Sequence, residues 1–212
     1  METNKILKNL IERYSNLIHL ESSIEEAVKI IVRAYNNGGK VLVCGNGGSS
    51  ADSDHVVGEL MKSFEMKRPL DQAVQKNLRA LFPERGDFLA ENLQQGLPAI
   101  SLSAHSALIS AISNDIGGDL IFAQQVVGYG NPGDILLAFS TSGNAQNVID
   151  ALIVAKAKGL KTIGMTGETG GKMQTYCDLL INVPETRTAF VQELHLPVYH
   201  AICLMVESTI FS

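Results

Sequence analysis

The chain has 212 residues, 45% of them hydrophobic, which suits one sizeable α/β domain and leaves two independent domains cramped. A net charge of -5, with Lys and Arg scattered, excludes a basic footprint for nucleic acid. No apolar run approaches the ~20 residues of a membrane span, Met1 to Leu20 has no signal-peptide core, and Cys44, Cys177 and Cys203 share no CxxC spacing, so a reducing cytoplasm and buried thiols are expected rather than disulfides or a cysteine metal site.

Ile6, Leu7, Leu10, Ile11, Tyr14, Leu17 and Ile18 recur at intervals of three and four, which predicts an amphipathic helix. Ser23 with Glu26 reads as a capping box. It opens a second helix carrying Ala27, Ile30, Ile31 and Ala34, ended by Asn36-Asn37-Gly38-Gly39. Two helices ahead of any strand have little sheet to cover. Part of residues 1–37 is therefore expected to be an oligomer surface, the alternative being plain packing on the sheet.

Val41-Leu42-Val43 is a short apolar run that fits a buried strand. It leads into Cys44-Gly45-Asn46-Gly47-Gly48-Ser49-Ser50 and then into residues at helical spacing. Glycines let backbone N–H groups approach a ligand, and the positive end of a new helix favours an anion there. Two nucleotide fingerprints fail. A Walker loop needs Gly-Lys-Ser or Gly-Lys-Thr where Gly48-Ser49-Ser50 stands, and the dinucleotide motif needs a third glycine at Ser50. A tight turn without a ligand is the plainer alternative. One turn on, His55 and Glu59 stand four apart on one helix face, where they could form a general base or a pair of metal ligands.

Residues 64–97 are long for a connection. Leu70, Val74, Leu78 and Leu81 suggest one helix, Pro83 to Asp87 a turn, and Phe88, Leu89 and Leu93 a second short helix. This is expected to be an inserted helical hairpin near the mouth of a site. The alternation then resumes. Ala99 to Leu102 is a strand, followed by a helix to Asn114-Asp115 and another over roughly Leu120 to Val127. Ile135 to Phe139 is a strongly apolar central strand, ending in Ser140-Thr141-Ser142-Gly143-Asn144 and a helix to about Lys158. Thr162 to Met165 and Leu179 to Val183 supply two more strands, and a long helix from about Thr188 to Thr209 closes the chain. Such alternation predicts a doubly wound, parallel five-stranded α/β sheet. In a flavodoxin-like order of 2-1-3-4-5, the Gly45 and Ser140 turns flank one crevice at the switch point.

The Ser140–Asn144 turn offers hydroxyls, a permissive glycine and a helix start, a phosphate cradle without lysine; an ordinary N-cap cluster is the alternative. With no Mg-ligand motif, a small phosphorylated metabolite fits better than a nucleoside triphosphate. On the closing helix, Gln192 and His200 stand eight apart, within about 80° of one another, while His195 points elsewhere. Taken alone, a histidine on an apolar helix, as His200 is, is more often a satisfied core residue. Pro197 is expected to kink this helix or lie near its start. His19, His105 and His195 are read as surface or capping histidines.

These motifs resemble the SIS (sugar isomerase) family, and within it the phosphoheptose isomerases. The resemblance spans nearly the whole chain, 1–212, as a single domain. It rests on Cys44 to Ser49, His55 and Glu59, Asn114-Asp115, Ser140 to Asn144, Thr166-Gly167 with Gly170-Gly171-Lys172, and Gln192 to His195 with His200. It implies that Glu59 and His200 act as acid and base on an ene-diol, interconverting sedoheptulose 7-phosphate and D-glycero-D-manno-heptose 7-phosphate. It implies a Zn2+ ion held by His55, Glu59, Gln192 and His200. It implies phosphate contacts from Ser140, Thr141 and Ser142, with Asn144 beside them, and sugar contacts from Asn46, Gly47, Gly48, Ser49, Asn114, Asp115 and Gln192. A homotetramer with sites at subunit borders is also implied. The chain departs from the family pattern at Ala145, Ser63, Ala189-Phe190 and the long 64–97 connection. Those changes bear on which sugar phosphate is used. A non-catalytic relative that binds the bacterial replication initiator is the competing reading, but that group lacks the Glu and the final His, both present here.

Overall fold

The computed structural model describes residues 2–212. Five parallel strands, β1 (Val41–Cys44), β2 (Ala99–Ser101), β3 (Ile135–Phe139), β4 (Lys161–Thr166) and β5 (Leu179–Asn182), form one sheet in the order β2-β1-β3-β4-β5. The expected order and doubly wound class are thus observed. The central strands are buried on both faces, which is why they read as unbroken apolar runs. Alternate residues feed two cores. Val41, Val43, Ile135, Leu137 and Phe139 face one, with α1 (Glu2–Arg13), α2 (Glu21–Asn36), α3 (Gly48–Met61) and α9 (Thr188–Phe211). Leu42, Cys44, Leu136 and Ala138 face the other, with α7 (Ile121–Tyr129) and α8 (Gln146–Ala157). A short helix, α6 (Ser106–Asp115), precedes α7 and buries only Ile112.

The leading segment differs from expectation in two ways. The first helix stops at Arg13, and Leu17 and Ile18 belong to a 3-10 turn, Ser15–Leu20, that buries Leu17 and leaves Ile18 in solvent. No capping box forms at Ser23, because α2 already starts at Glu21 and runs directly out of the 3-10 turn. A helix entered from another helical turn has its first N–H groups partnered, so a side-chain cap has no vacancy to fill. Both leading helices bury their apolar stripes against the first core.

The sequence places no long apolar run, yet α9 is long and apolar enough by composition to cross a membrane. Its composition has another cause here. It is the central helix of the first core, with Val191, Val198, Tyr199, Ile202, Met205 and Val206 buried. Pro197 lies inside it, buried, within a continuous helical span. Cys44 and Cys203 are buried and Cys177 is half-buried, so two of the three thiols have the expected fate.

The 64–97 connection is a helical hairpin, α4 (Gln72–Leu81) and α5 (Gly86–Asn92). The Asp71 side chain caps α4 by accepting from the Ala73 N–H. Gly86 permits the close approach of α5 to Leu78. Nothing on α4 is buried, and Val74, Leu81, Phe82, Phe88 and Leu93 stay exposed. The hairpin hangs on a closed stem. Gln95 N–H donates to the Arg68 carbonyl at 2.8 Å, Pro69 pairs with Gln94, and Leu97 N–H donates to the Leu60 carbonyl at 2.9 Å.

Candidate active site

Two turns meet at the carboxyl edge of β1 and β3. The β1 turn bends at Gly47, whose φ of 56° is the left-handed region that suits glycine. Gly48 is required for a different reason: a side chain there would run into the Gln192 amide on α9. Loop and closing helix therefore touch where sequence reading expected sugar contacts. Asn46 exchanges two amide hydrogen bonds of 2.9 Å with Asn147 in the first turn of α8. Ser49 is buried, packed beside Gly45.

The β3 turn is built from backbone. Gly143 has φ 66°, and a Cβ there would collide with the Gly170 carbonyl oxygen. Gly171 has φ 54° and lies equally tight against Ser142. The Thr166–Gly171 segment, which carries part of the family resemblance, thus packs directly under this turn. Gly167 N–H donates to the Thr141 carbonyl and Met173 N–H to the Gly143 carbonyl, each at 3.0 Å. Asn144 braces this joint: its Nδ2 donates to the Ser142 carbonyl at 2.8 Å and its Oδ1 accepts from the Lys172 N–H at 3.1 Å. Ser140 is buried, Thr141 half-buried and Ser142 exposed, with Ser142 Oγ accepting from the Asn144 N–H at 3.2 Å. The geometry leaves Ser142 facing solvent at the start of α8, where an anion is favoured.

The side chains that could move protons gather beside these turns. His55 Nε2 lies 3.2 Å from Glu59 Oε1 and 3.4 Å from His200 Nε2. The imidazoles of His55 and His200 meet edge to face at 4.8 Å. Glu59 Oε2 is 3.2 Å from Lys62 Nζ, and the Glu59 side chain is only 13% exposed. Burial and the neighbouring His55 hold the His200 pKa below its ordinary value, with Glu59 opposing, so His200 is neutral at neutral pH and able to accept a proton. His200 also lines a groove of about 610 Å³ between α1 and α9.

Asn114 and Asp115 end α6, exposed, and bond to one another at 2.8 Å. No hydrogen bond ties them to the two turns. Gln192, expected as a fourth metal ligand, lies against Gly48. A nitrogen that faces both a carboxylate and a second imidazole has the donor chemistry of a cation site. Yet among the described residues no group of three His, Cys, Asp or Glu side chains is arranged to hold a metal ion. Zinc is carried into the proposal below by the family resemblance alone, and no step below passes through it.

The SIS domain family model matches residues 5–97 and 78–167. A phosphoheptose isomerase from Synechocystis is 40% identical over 190 residues, covering 90% of this chain and 84% of that protein. One from Aneurinibacillus thermoaerophilus is 35% identical over 215 residues, covering 98% and 96%. The chain belongs to the SIS domain family. Among solved structures, a phosphoheptose isomerase from Francisella tularensis superposes with a TM-score of 0.76 at 32% identity, covering 98% of this chain and 97% of that one. The Neisseria gonorrhoeae phosphoheptose isomerase gives 0.73 at 31%, covering 98% and 94%.

Several parts of this SIS site escaped the sequence reading. The Tyr199 hydroxyl lies 3.0 Å from His55 Nδ1 and 3.3 Å from Asp52 Oδ1, so it orients the imidazole. Burial raises the Asp52 pKa against the opposing pull of Tyr199 and His55, and Asp52 Oδ2 is buried without a partner. Asp52 stands three residues before His55 on the same helix face, a spacing that was there to be read.

His195 corrects an expectation. It is fully buried rather than a surface or capping histidine, with Nε2 donating to the Thr166 carbonyl at 3.2 Å. The segment beneath the β3 turn is thereby tied to α9. His19 is exposed, and His105 does cap α6 by accepting from the Leu108 N–H. Burial lowers the His195 pKa to about 4, with the Thr166 bond opposing. A histidine held below its unfolded value makes the unfolded state bind the extra proton. Its contribution is complete above about pH 6.5 and is lost as pH falls towards 4, at about 1.4 kcal/mol per unit. His195→Gln is expected to flatten that stretch of a stability-against-pH curve measured by urea unfolding. An unchanged slope would mean that His195 is not buried neutral.

Proposed function

We propose that the chain is a phosphoheptose isomerase, interconverting sedoheptulose 7-phosphate and D-glycero-D-manno-heptose 7-phosphate. One observation carries this reading beside the names of its relatives: Glu59 on α3 and His200 on α9 both meet His55, next to two glycine–serine turns at the switch point. In the proposed reaction, the Glu59 carboxylate removes the proton from C1 of the ketose, forming an ene-diol, and returns it to C2. The neutral His200 imidazole accepts the O1 proton and delivers it to O2. Bonds and protons balance without an outside reactant. The Ser140–Ser142 turn and the start of α8 hold the phosphate.

The test is direct. Purified protein is incubated with sedoheptulose 7-phosphate and the aldose is followed by chromatography, beside a panel of other ketose and aldose phosphates. No interconversion of any of them removes the enzyme reading. Turnover of a different sugar keeps the reaction and moves the substrate, as Ala145 and Ser63 would allow. Within the same assay, Ser142→Ala is expected to raise KM about fivefold with an unchanged melting temperature, since one exposed hydroxyl bond is lost and no core is opened. An unchanged KM and inhibitor affinity would place the phosphate elsewhere.

Zinc, the homotetramer and a cytoplasmic location are separate proposals carried by the family resemblance and composition. Metal analysis of wild type against His55→Ala reads the zinc. Light scattering reads the assembly.

A further inference from the structure

The reaction centre stands on a buried ion pair that belongs to neither turn. Arg68 and Glu207 have side chains 0% and 1% exposed, with Nε 2.7 Å from Oε1. Arg68 points its fork at the last turn of α3. Nη1 donates to the Leu60 carbonyl at 2.7 Å and Nη2 to the Glu59 carbonyl at 3.2 Å. A helix end leaves such carbonyls without intrahelical partners, and here a guanidinium fills the role, joined at Leu60 by the Leu97 N–H. Glu207 grips the chain just beyond. Its carboxylate accepts from the N–H groups of Phe64, Glu65 and Met66, at 2.8, 2.9 and 3.2 Å. Burial pushes the Glu207 carboxyl up, but those three N–H groups and Arg68 outweigh it, so its pKa lies below the ordinary value and it stays charged.

These contacts converge on both reacting groups. Glu207 lies seven residues, two helical turns, after His200 on one stripe of α9. The segment that Glu207 holds lays the Phe64 ring against His200, edge to face at 5.3 Å. The carbonyls that Arg68 holds belong to Glu59 and its neighbour. An apolar pair of similar volume would commonly serve stability as well as a buried ion pair does, so fold stability alone is a weak reason for this arrangement. What an apolar pair cannot do is specify six directed contacts.

We propose that Arg68 and Glu207 are positioning residues for the isomerisation, fixing the end of α3 that bears Glu59 against the face of α9 that bears His200. The activity readout rests on the isomerase reading, so a second readout is independent of it. Glu207→Gln keeps the shape and removes the charge, and Arg68→Lys keeps the charge and removes the fork. Each folded variant is expected to lose turnover tenfold or more with KM within about twofold of wild type. The nuclear Overhauser contact that the 5.3 Å approach of the Phe64 and His200 rings predicts for wild type is expected to vanish in Glu207→Gln. Turnover within threefold of wild type, or a loss confined to KM, overturns the proposal. If wild type itself isomerises no sugar phosphate, the isomerase reading fails, and the ring contact then decides the positioning: retained in folded Glu207→Gln, it refutes it. Should neither variant fold, Phe64→Leu decides, because it removes the ring contact to His200 while keeping an apolar side chain against the first core. Lost turnover at constant KM supports the proposal, and wild-type turnover refutes it.

Discussion

Glu59→Gln is expected to lower turnover about 100- to 10,000-fold while leaving KM near its wild-type value. The amide has the size of the carboxylate, so the contacts to His55 and Lys62, each 3.2 Å in wild type, keep their geometry. What disappears is the capacity to take a proton from carbon. Substrate binding rests on the two turns, so the loss falls on the chemical step. His200→Ala is expected to cost a similar factor by a different route, since the proton on oxygen then has no acceptor of suitable basicity. The two losses should not multiply, because each breaks the same ene-diol step. The measurement is the steady-state rate of both single variants and the double, on the best sugar phosphate. Full activity in Glu59→Gln would sink the mechanism, and a double variant whose losses multiply would mean that the two groups act in separate steps.

The second large effect is expected from a residue with no side chain at all. Gly143→Ala should destabilise the protein by about 2 kcal/mol or more and raise KM at least tenfold. A positive φ costs a non-glycine residue on the order of 1 kcal/mol. The collision with the Gly170 carbonyl comes on top, and it is backbone against backbone, which cannot rotate away. The turn must open, and the phosphate contacts open with it. Gly133→Ala is the control, because Gly133 has φ 90° but nothing within 4 Å of an added Cβ. It should show the conformational cost alone. In a chain of this length each kcal/mol lowers the melting temperature by about 2–4 °C, so the two variants are separable by calorimetry. Equal stability of the pair, with wild-type KM in Gly143→Ala, would remove the cradle from the backbone joint.

Much of the fold was legible because its signals are local. β1 and β3 are unbroken apolar runs, and both site turns begin where those runs end. His55 and Glu59 are one helical turn apart, so their shared face follows from spacing. The parts that stayed hidden are pairings across the chain. Tyr199 and Asp52 are 147 positions apart, and Arg68 and Glu207 are 139 apart. No local pattern marks Tyr199, Arg68 or Glu207, whose partners are that far off; only Asp52, three residues before His55, shares a readable helix face. His195 was misread for a related reason: a polar residue on an apolar helix carries no sign of the carbonyl that will receive it. Ser23 and Glu26 show the reverse failure. The capping pattern was present, but the chain entered α2 already coiled and left nothing to cap.

The closed stem under α4 and α5 makes residues 69–94 a graft. Gln95 and Arg68 are already joined backbone to backbone, so the body of the protein holds the two ends together without help from what lies between them. The cost of closing a loop on fixed ends grows only with the logarithm of its length. A two-residue turn, the present hairpin or a foreign folded module could each be spliced there at nearly the same cost. Length at this point is therefore free to drift between lineages, or to be chosen by an engineer, while the strands and the reaction centre stay in register.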